Sequence, residues 1–253
     1  MALSPLATLV PTIISTDGTK IWAAQAGRSA RDDVPVIIFI PGFACSSLFF
    51  EKQFSDQTLL DNYRLITYEP RGQGRSDQPL DKGSYASARH AEDFRAVCQA
   101  FGARRYEEVA NPLIFNVFGP MLSADPNEVA GGLAGFLESC FLEENTKGVS
   151  YTTWSAMIGG IAQQKPAARE LMMAERVDQD SSILKKAAAD KLPIMAVIGE
   201  HDIHMFPDRV EQCTVNLGER AEFKLISEAG HAVMWEKPEK VNELIKEFVD
   251  RVW

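Results

Sequence analysis

The chain has 253 residues, 45% of them hydrophobic, and a net charge of −9. That is enough apolar material for a large core, and the acidic balance argues against a nucleic-acid or anionic-membrane binder, which needs a basic face. Cys45, Cys98, Cys140 and Cys213 form no C-x-x-C pair or zinc-ligand spacing, and no apolar run is long enough to span a bilayer. The expectation is a cytoplasmic protein with reduced thiols and no metal or cofactor.

In chain order, residues 12–16 and 20–26 flank Asp17-Gly18, a hairpin turn signal. Residues 34–40 are continuously apolar and β-branched, as a central parallel strand should be. They run into Pro41-Gly42-Phe43-Ala44-Cys45-Ser46-Ser47. Residues 48–60 read as loop and helix, and 63–68 as a second strand. That strand ends in Glu69-Pro70-Arg71-Gly72-Gln73-Gly74-Arg75-Ser76-Asp77, a glycine-punctuated loop that Arg71, Gly72, Gly74 and Ser76 shape. Residues 85–101 predict an amphipathic helix, with Ala88, Ala91, Phe94, Val97, Cys98 and Phe101 inward and Gly102 as its stop.

Residues 113–184 read as a run of helices starting at Asp125-Pro126-Asn127-Glu128. One apolar face carries Leu133, Phe136, Leu137, Cys140 and Phe141, and another carries Trp154, Met157, Ile158 and Ile161. Residues 192–199 predict a buried parallel strand, 209–217 a helix, 221–227 a strand and 241–252 a closing amphipathic helix.

Asp202 and His231 each follow one of these last two strands. If the strands are parallel neighbours, both loops open on the same rim of the sheet, where open α/β sheets place their chemistry. A carboxylate there can accept Nδ1–H of the imidazole, fix its tautomer and leave Nε2 as a base. The competing reading is two ordinary loop residues. His201 and His204, beside Glu200 and Asp202, have metal-like spacing, but a site needs more ligands in a defined geometry, and no metal is expected.

Four segments, residues 34–43, 63–77, 199–202 and 230–239, occur in the order of the α/β-hydrolase family, which the chain resembles, in its branch of small-molecule esterases, lactonases, epoxide hydrolases and cofactor-free haloperoxidases. The resemblance covers residues 12–104 and 192–253. It implies a mostly parallel sheet with flanking helices and a helical lid over a small apolar organic substrate or ligand. It implies Asp202 as the acid, His231 as the base, and an oxyanion turn at Phe43 and Ala44, although Pro41 stands where histidine is usual. The lid residues Phe136, Trp154 and Met157, with Trp235, are candidates to touch substrate; the alternative is that they only pack lid against core.

The family's nucleophile sits on a G-x-S-x-G elbow between strand and helix. No such motif occurs anywhere in this sequence. The implied division runs from residues 1–105, the first half of the core, directly to a lid at 106–191, with 192–253 as the second half. The family's central strands five and six are therefore missing, a βαβ unit of roughly 30 residues or more. Ser46 and Ser47, and Cys45 beside them, lie near the oxyanion turn and are candidate substitute nucleophiles, against a default of loop hydrogen bonding. Three functions follow: a hydrolase-like protein impaired or inactive for ester, lactone or epoxide bonds; an enzyme using the His–Asp dyad as a general base in lyase-like chemistry; or a non-catalytic small-molecule binder. The strands at 34–40 and 192–198 are expected to close up and pair directly, with residues 113–118 as the alternative filler.

Overall fold

The computed structural model describes residues 8–9, 12–29, 33–103, 107–110, 126–174, 186 and 189–253. The hairpin expected at Asp17-Gly18 is present. β2 (Ile13–Ile14) pairs antiparallel with β3 (Lys20–Gly27), which also pairs antiparallel with β1 (Thr8–Leu9). β3 lies against β5 (Arg64–Glu69), and β5 runs parallel to β4 (Val36–Ile40). The sheet is thus parallel at its centre and antiparallel at its N-terminal side.

Alternation along β4 decides what covers each face. Ile37 and Phe39 enter one core with Phe50, Phe54 and Leu65, while Val36 and Ile38 enter another with Ile66, Tyr68, Val97 and Phe101. The second core lies under α2 (Ser87–Phe101), which ends at Gly102 in the left-handed conformation that glycine adopts without a Cβ penalty. Ala88 and Ala91, expected on the inner face of α2, are exposed, and Asp93 is buried in their stead. The cause is Arg71. Its guanidinium, wholly buried, makes a two-pronged contact with Asp93 at 2.7 Å and 2.7 Å and reaches Asp17 at 2.8 Å and the Ser84 carbonyl at 2.9 Å. Arg71 is thus a buried ionic pin between loop, hairpin and helix rather than a residue that only shapes its loop.

β6 (Glu107–Ala110) pairs parallel with β4, in register Ile37↔Glu107 through Ile40↔Ala110. β7 (Ile194–Gly199) pairs parallel with β8 (Ala221–Ile226) in a separate two-stranded sheet. Two expectations are corrected here. The strands at 34–40 and 192–198 do not pair with each other. The segment that lies along β4 is instead 107–110, assigned above to the start of the lid. An exposed strand edge needs backbone partners whatever the side chains are. A segment arriving directly after α2 can supply them at lower loop-closure cost than one arriving after the lid. Residues 113–118 and Asp125 lie outside the described residues.

α1 (Gln57–Asn62) precedes β5, and the segment read as a lid holds α3 (Pro126–Ser139), α4 (Glu143–Thr146), α5 (Tyr151–Ala162) and α6 (Pro166–Ala174). After β7 come α7 (Pro207–Val215), then α8 (Val233–Glu236) and α9 (Pro238–Val252) following β8. Val241, Leu244, Ile245 and Val249 of α9 pack into the core holding Ile37, Phe39 and Leu65, together with Ile226 of β8. Side-chain packing, not a strand ladder, is what joins the two sheets among the described residues. No helix among them is long and apolar enough to cross a membrane.

Candidate active site

β7 and β8 deliver their loops side by side. Glu200 N–H donates to Ile226 O at 2.9 Å and His201 N–H to Ala229 O at 2.9 Å, so the acid loop is stitched to the strand and loop that lead to His231. Gly199 allows this approach: a Cβ there would stand 2.0 Å from Gly230 O and 2.4 Å from Ala229 O.

Asp202 and His231 are both buried, and Asp202 Oδ2 lies 2.8 Å from His231 Nδ1. The pairing expected from the two strand-end loops is therefore present. The other oxygen, Oδ1, accepts the backbone N–H groups of His204 at 2.8 Å and Met205 at 3.0 Å. Burial alone would raise the Asp202 pKa, but the bonds from His231 and the two amides win, and the carboxyl is held below its ordinary range. As an ionised acceptor it obliges His231 to carry its proton on Nδ1, which leaves the Nε2 lone pair available. That nitrogen has no hydrogen-bond partner among the described residues.

α3 and the turn after it are hydrogen-bonded to the loops that carry the pair. Ala232 N–H donates to Cys140 O at 2.7 Å, just past the end of α3. Glu236 accepts from Gly230 N–H at 2.8 Å with Oε1, and from Leu142 N–H at 2.9 Å and Asn145 Nδ2 at 2.7 Å with Oε2. His204 Nε2 lies 3.1 Å from Ser139 O and 3.0 Å from Ser139 Oγ. Burial and the neighbouring His231 hold the His204 pKa below its usual value, against the opposing pull of Asp202 and the Ser139 carbonyl.

Stability should follow. A histidine whose folded pKa is depressed binds fewer protons folded than unfolded, so stability is complete above about pH 6.5 and falls as pH drops toward the folded value. Asp202 adds a second loss below about pH 3.9, as pH falls through its own lowered pKa. Urea melts across pH 4–7 should show the first loss in the native chain and a flatter profile in His204→Gln. Equal slopes would remove His204 as its source.

The oxyanion candidates sit in the turn after β4. Phe43 and Ala44 are buried, and Ala44 has φ +59°, a left-handed conformation that costs a non-glycine residue energy and marks a specifically shaped turn. Phe43, Ala44 and Cys45 share one buried cluster with Phe136, Met157 and Trp235, and Trp154 packs against it with its ring 5.7 Å from Phe141. The lid candidates therefore meet the oxyanion turn in close packing. The substitute nucleophiles do not come forward. Ser47 is fully buried, donates to Glu69 Oε1 at 2.8 Å and accepts from Arg75 at 2.7 Å. Ser46 caps the 3-10 turn Ser47–Phe50, accepting from Leu48 N–H at 3.4 Å. Burial pushes the Cys45 thiol up to about 12 and the Cys140 thiol well above its ordinary value. Among the described residues no three side chains of the metal-ligating kinds gather as a site.

The profile of the alpha/beta hydrolase fold matches residues 35–106. A putative aryl esterase from Burkholderia cenocepacia superposes with a TM-score of 0.83 at 23% identity, over 96% of this chain and 98% of its own. The chain has the α/β-hydrolase fold. An enol-lactonase from Burkholderia xenovorans LB400 matches this hydrolase fold with a TM-score of 0.76 at 15% identity, over 95% of this chain and 100% of that one. Human protein ABHD8 is 26% identical over 255 residues, which cover 88% of this chain and 56% of that protein. The chain thus spans about half the length of the curated relatives it matches. Within the hydrolase fold, sequence reasoning missed His204, Ser139 and Glu236 as the ties between lid and dyad. The sequence offers His204 only as a candidate metal ligand; its place two residues after the acid is the available signal.

Proposed function

We propose that this chain is a hydrolase-fold protein that retains the acid–histidine half of an esterase site and has lost the serine half. It forms no acyl-enzyme, and the apolar side chains where the oxyanion turn meets the lid are the place for a small apolar organic ligand. The supporting observation is an intact Asp202–His231 pair at 2.8 Å in a sequence with no G-x-S-x-G. Ser47, whose hydroxyl is engaged with Glu69 and Arg75, is a poor replacement: a nucleophile needs its proton directed at the base.

The pair itself favours a second reading. Its tautomer is set and Nε2 has no partner among the described residues, so it could activate water or abstract a proton from a ligand. One experiment separates the two. Hydrolysis of a p-nitrophenyl ester is expected to match that of His231→Ala within about twofold, the residue of rate coming from binding alone. Labelling by a fluorophosphonate probe would overturn the loss of the covalent route. Hydrolysis that depends on His231 without such labelling would select general-base chemistry.

A further inference from the structure

The protons around Ser139 determine which form His204 takes. Ser139 Oγ donates its hydrogen to Phe136 O at 2.7 Å. Toward His204 that oxygen can therefore only accept, and the Ser139 carbonyl is an acceptor by nature. Both face His204 Nε2, at 3.0 Å and 3.1 Å, so Nε2 must carry the hydrogen. His231, bound to an ionised carboxylate through Nδ1, carries its hydrogen on Nδ1 instead. The two rings meet edge to face with centroids 5.3 Å apart. One histidine's backbone and the other's side chain divide the two oxygens of Asp202 between them.

We propose that His204 is a positioning residue for the Asp202–His231 pair: its Nε2–H ties the C-terminal end of the lid helix to the acid loop, so that lid docking and the geometry of the pair are set together. The inference takes Asp202 and His231 as the reactive pair of the proposed function and requires no turnover. Three things support it. His204 touches the lid with its side chain and Asp202 with its backbone N–H, so a shift of α3 is passed to the carboxylate through one residue. The turn after α3 is also joined to the histidine loop by the Ala232–Cys140 bond and by Glu236, so both halves of the pair are held to the same piece of lid. Burial and the adjacent His231 keep His204 neutral, the form in which a single hydrogen on Nε2 suits two acceptors.

The test uses the full chain and its His204→Phe and His204→Gln variants. Phenylalanine keeps the bulk and removes the donor, whereas the glutamine amide restores an N–H near Nε2. Nitrogen-15 imidazole spectra of the native chain should show His204 as the Nε2–H tautomer and His231 as the Nδ1–H tautomer. In His204→Phe the His231 spectrum should drift toward a mixed tautomer. Amide exchange at Leu142 and Ala232 should quicken by about tenfold, as expected when a buried donor is removed from a local opening unit. In His204→Gln both should return to near-native values. A native His204 in the Nδ1–H form would overturn the proposal, as would a phenylalanine variant that leaves exchange and the His231 tautomer unchanged. A native His231 outside the Nδ1–H form would instead overturn the dyad reading, and the exchange comparison between the two variants would still decide the tie to the lid.

Discussion

Arg71→Ala is expected to cost about 3–5 kcal/mol, the usual consequence of removing one partner of a buried ion pair, against a total stability of about 5–15 kcal/mol for a folded domain. Most of the loss comes from what remains behind. Asp93 is 1% exposed and is left in a site that held a two-pronged guanidinium, with its buried oxygens unpaired. Asp17 loses the hydrogen bonds that keep its carboxyl well below the ordinary range. The hairpin, the loop after β5 and α2 all lose their common tie. Urea denaturation should show a large drop in midpoint or no cooperative transition. A loss below about 1 kcal/mol would mean that water or another cation takes over the site.

Gly199→Ala is expected to disrupt the site and the fold together. The added Cβ would fall 2.0 Å from Gly230 O, 2.4 Å from Ala229 O and 2.7 Å from Ala229 C, all backbone atoms. No rotamer change relieves such an overlap, so the end of β7 and the histidine loop must move apart. Overpacking of this severity costs about 3 kcal/mol or more. It also pulls Asp202 away from His231, since the stitches from Glu200 and His201 lie at that junction. Thermal melting gives the first effect, and the downfield Nδ1–H proton resonance of His231 the second. A variant with the native melting temperature and an unchanged resonance would show that the two loops are not pressed together here.

Much of the fold was legible because its signals are local. The apolar runs at 34–40 and 192–199 became β4 and β7, and the Asp202–His231 pairing followed from both residues standing just past parallel strands. What was illegible depended on partners distant in sequence. Asp93 falls among polar residues of an amphipathic helix, and only the burial of Arg71, 22 residues earlier, turns it inward. Alanines bury too little area to fix a helix face, so Ala88 and Ala91 misled the reading of α2. β6 contains Glu107 and Glu108 and has no strand-like composition; the edge of β4 recruits its backbone, and a backbone ladder leaves little trace in side chains. The role of His204 depends on Ser139, 65 residues away, and was hidden for the same reason.

The seam between the two sheets gives the site an unusual mechanical character. A hydrogen-bonded ladder fixes strand register through the backbone, whereas here the alignment of the two sheets is set by close-packed side chains, so that their shapes decide how the sheets sit. The turn bearing Phe43 belongs to one plate and the loops bearing Asp202 and His231 to the other. Phe39, Leu65, Val241 and Ile245 form the apolar part of the contact between them, and Asn242, which accepts from Gln53 at 2.9 Å and donates to Asp56 at 2.9 Å, adds a polar tie. Trimming any of these side chains should therefore detune the alignment of turn and histidine while each plate keeps its own internal order.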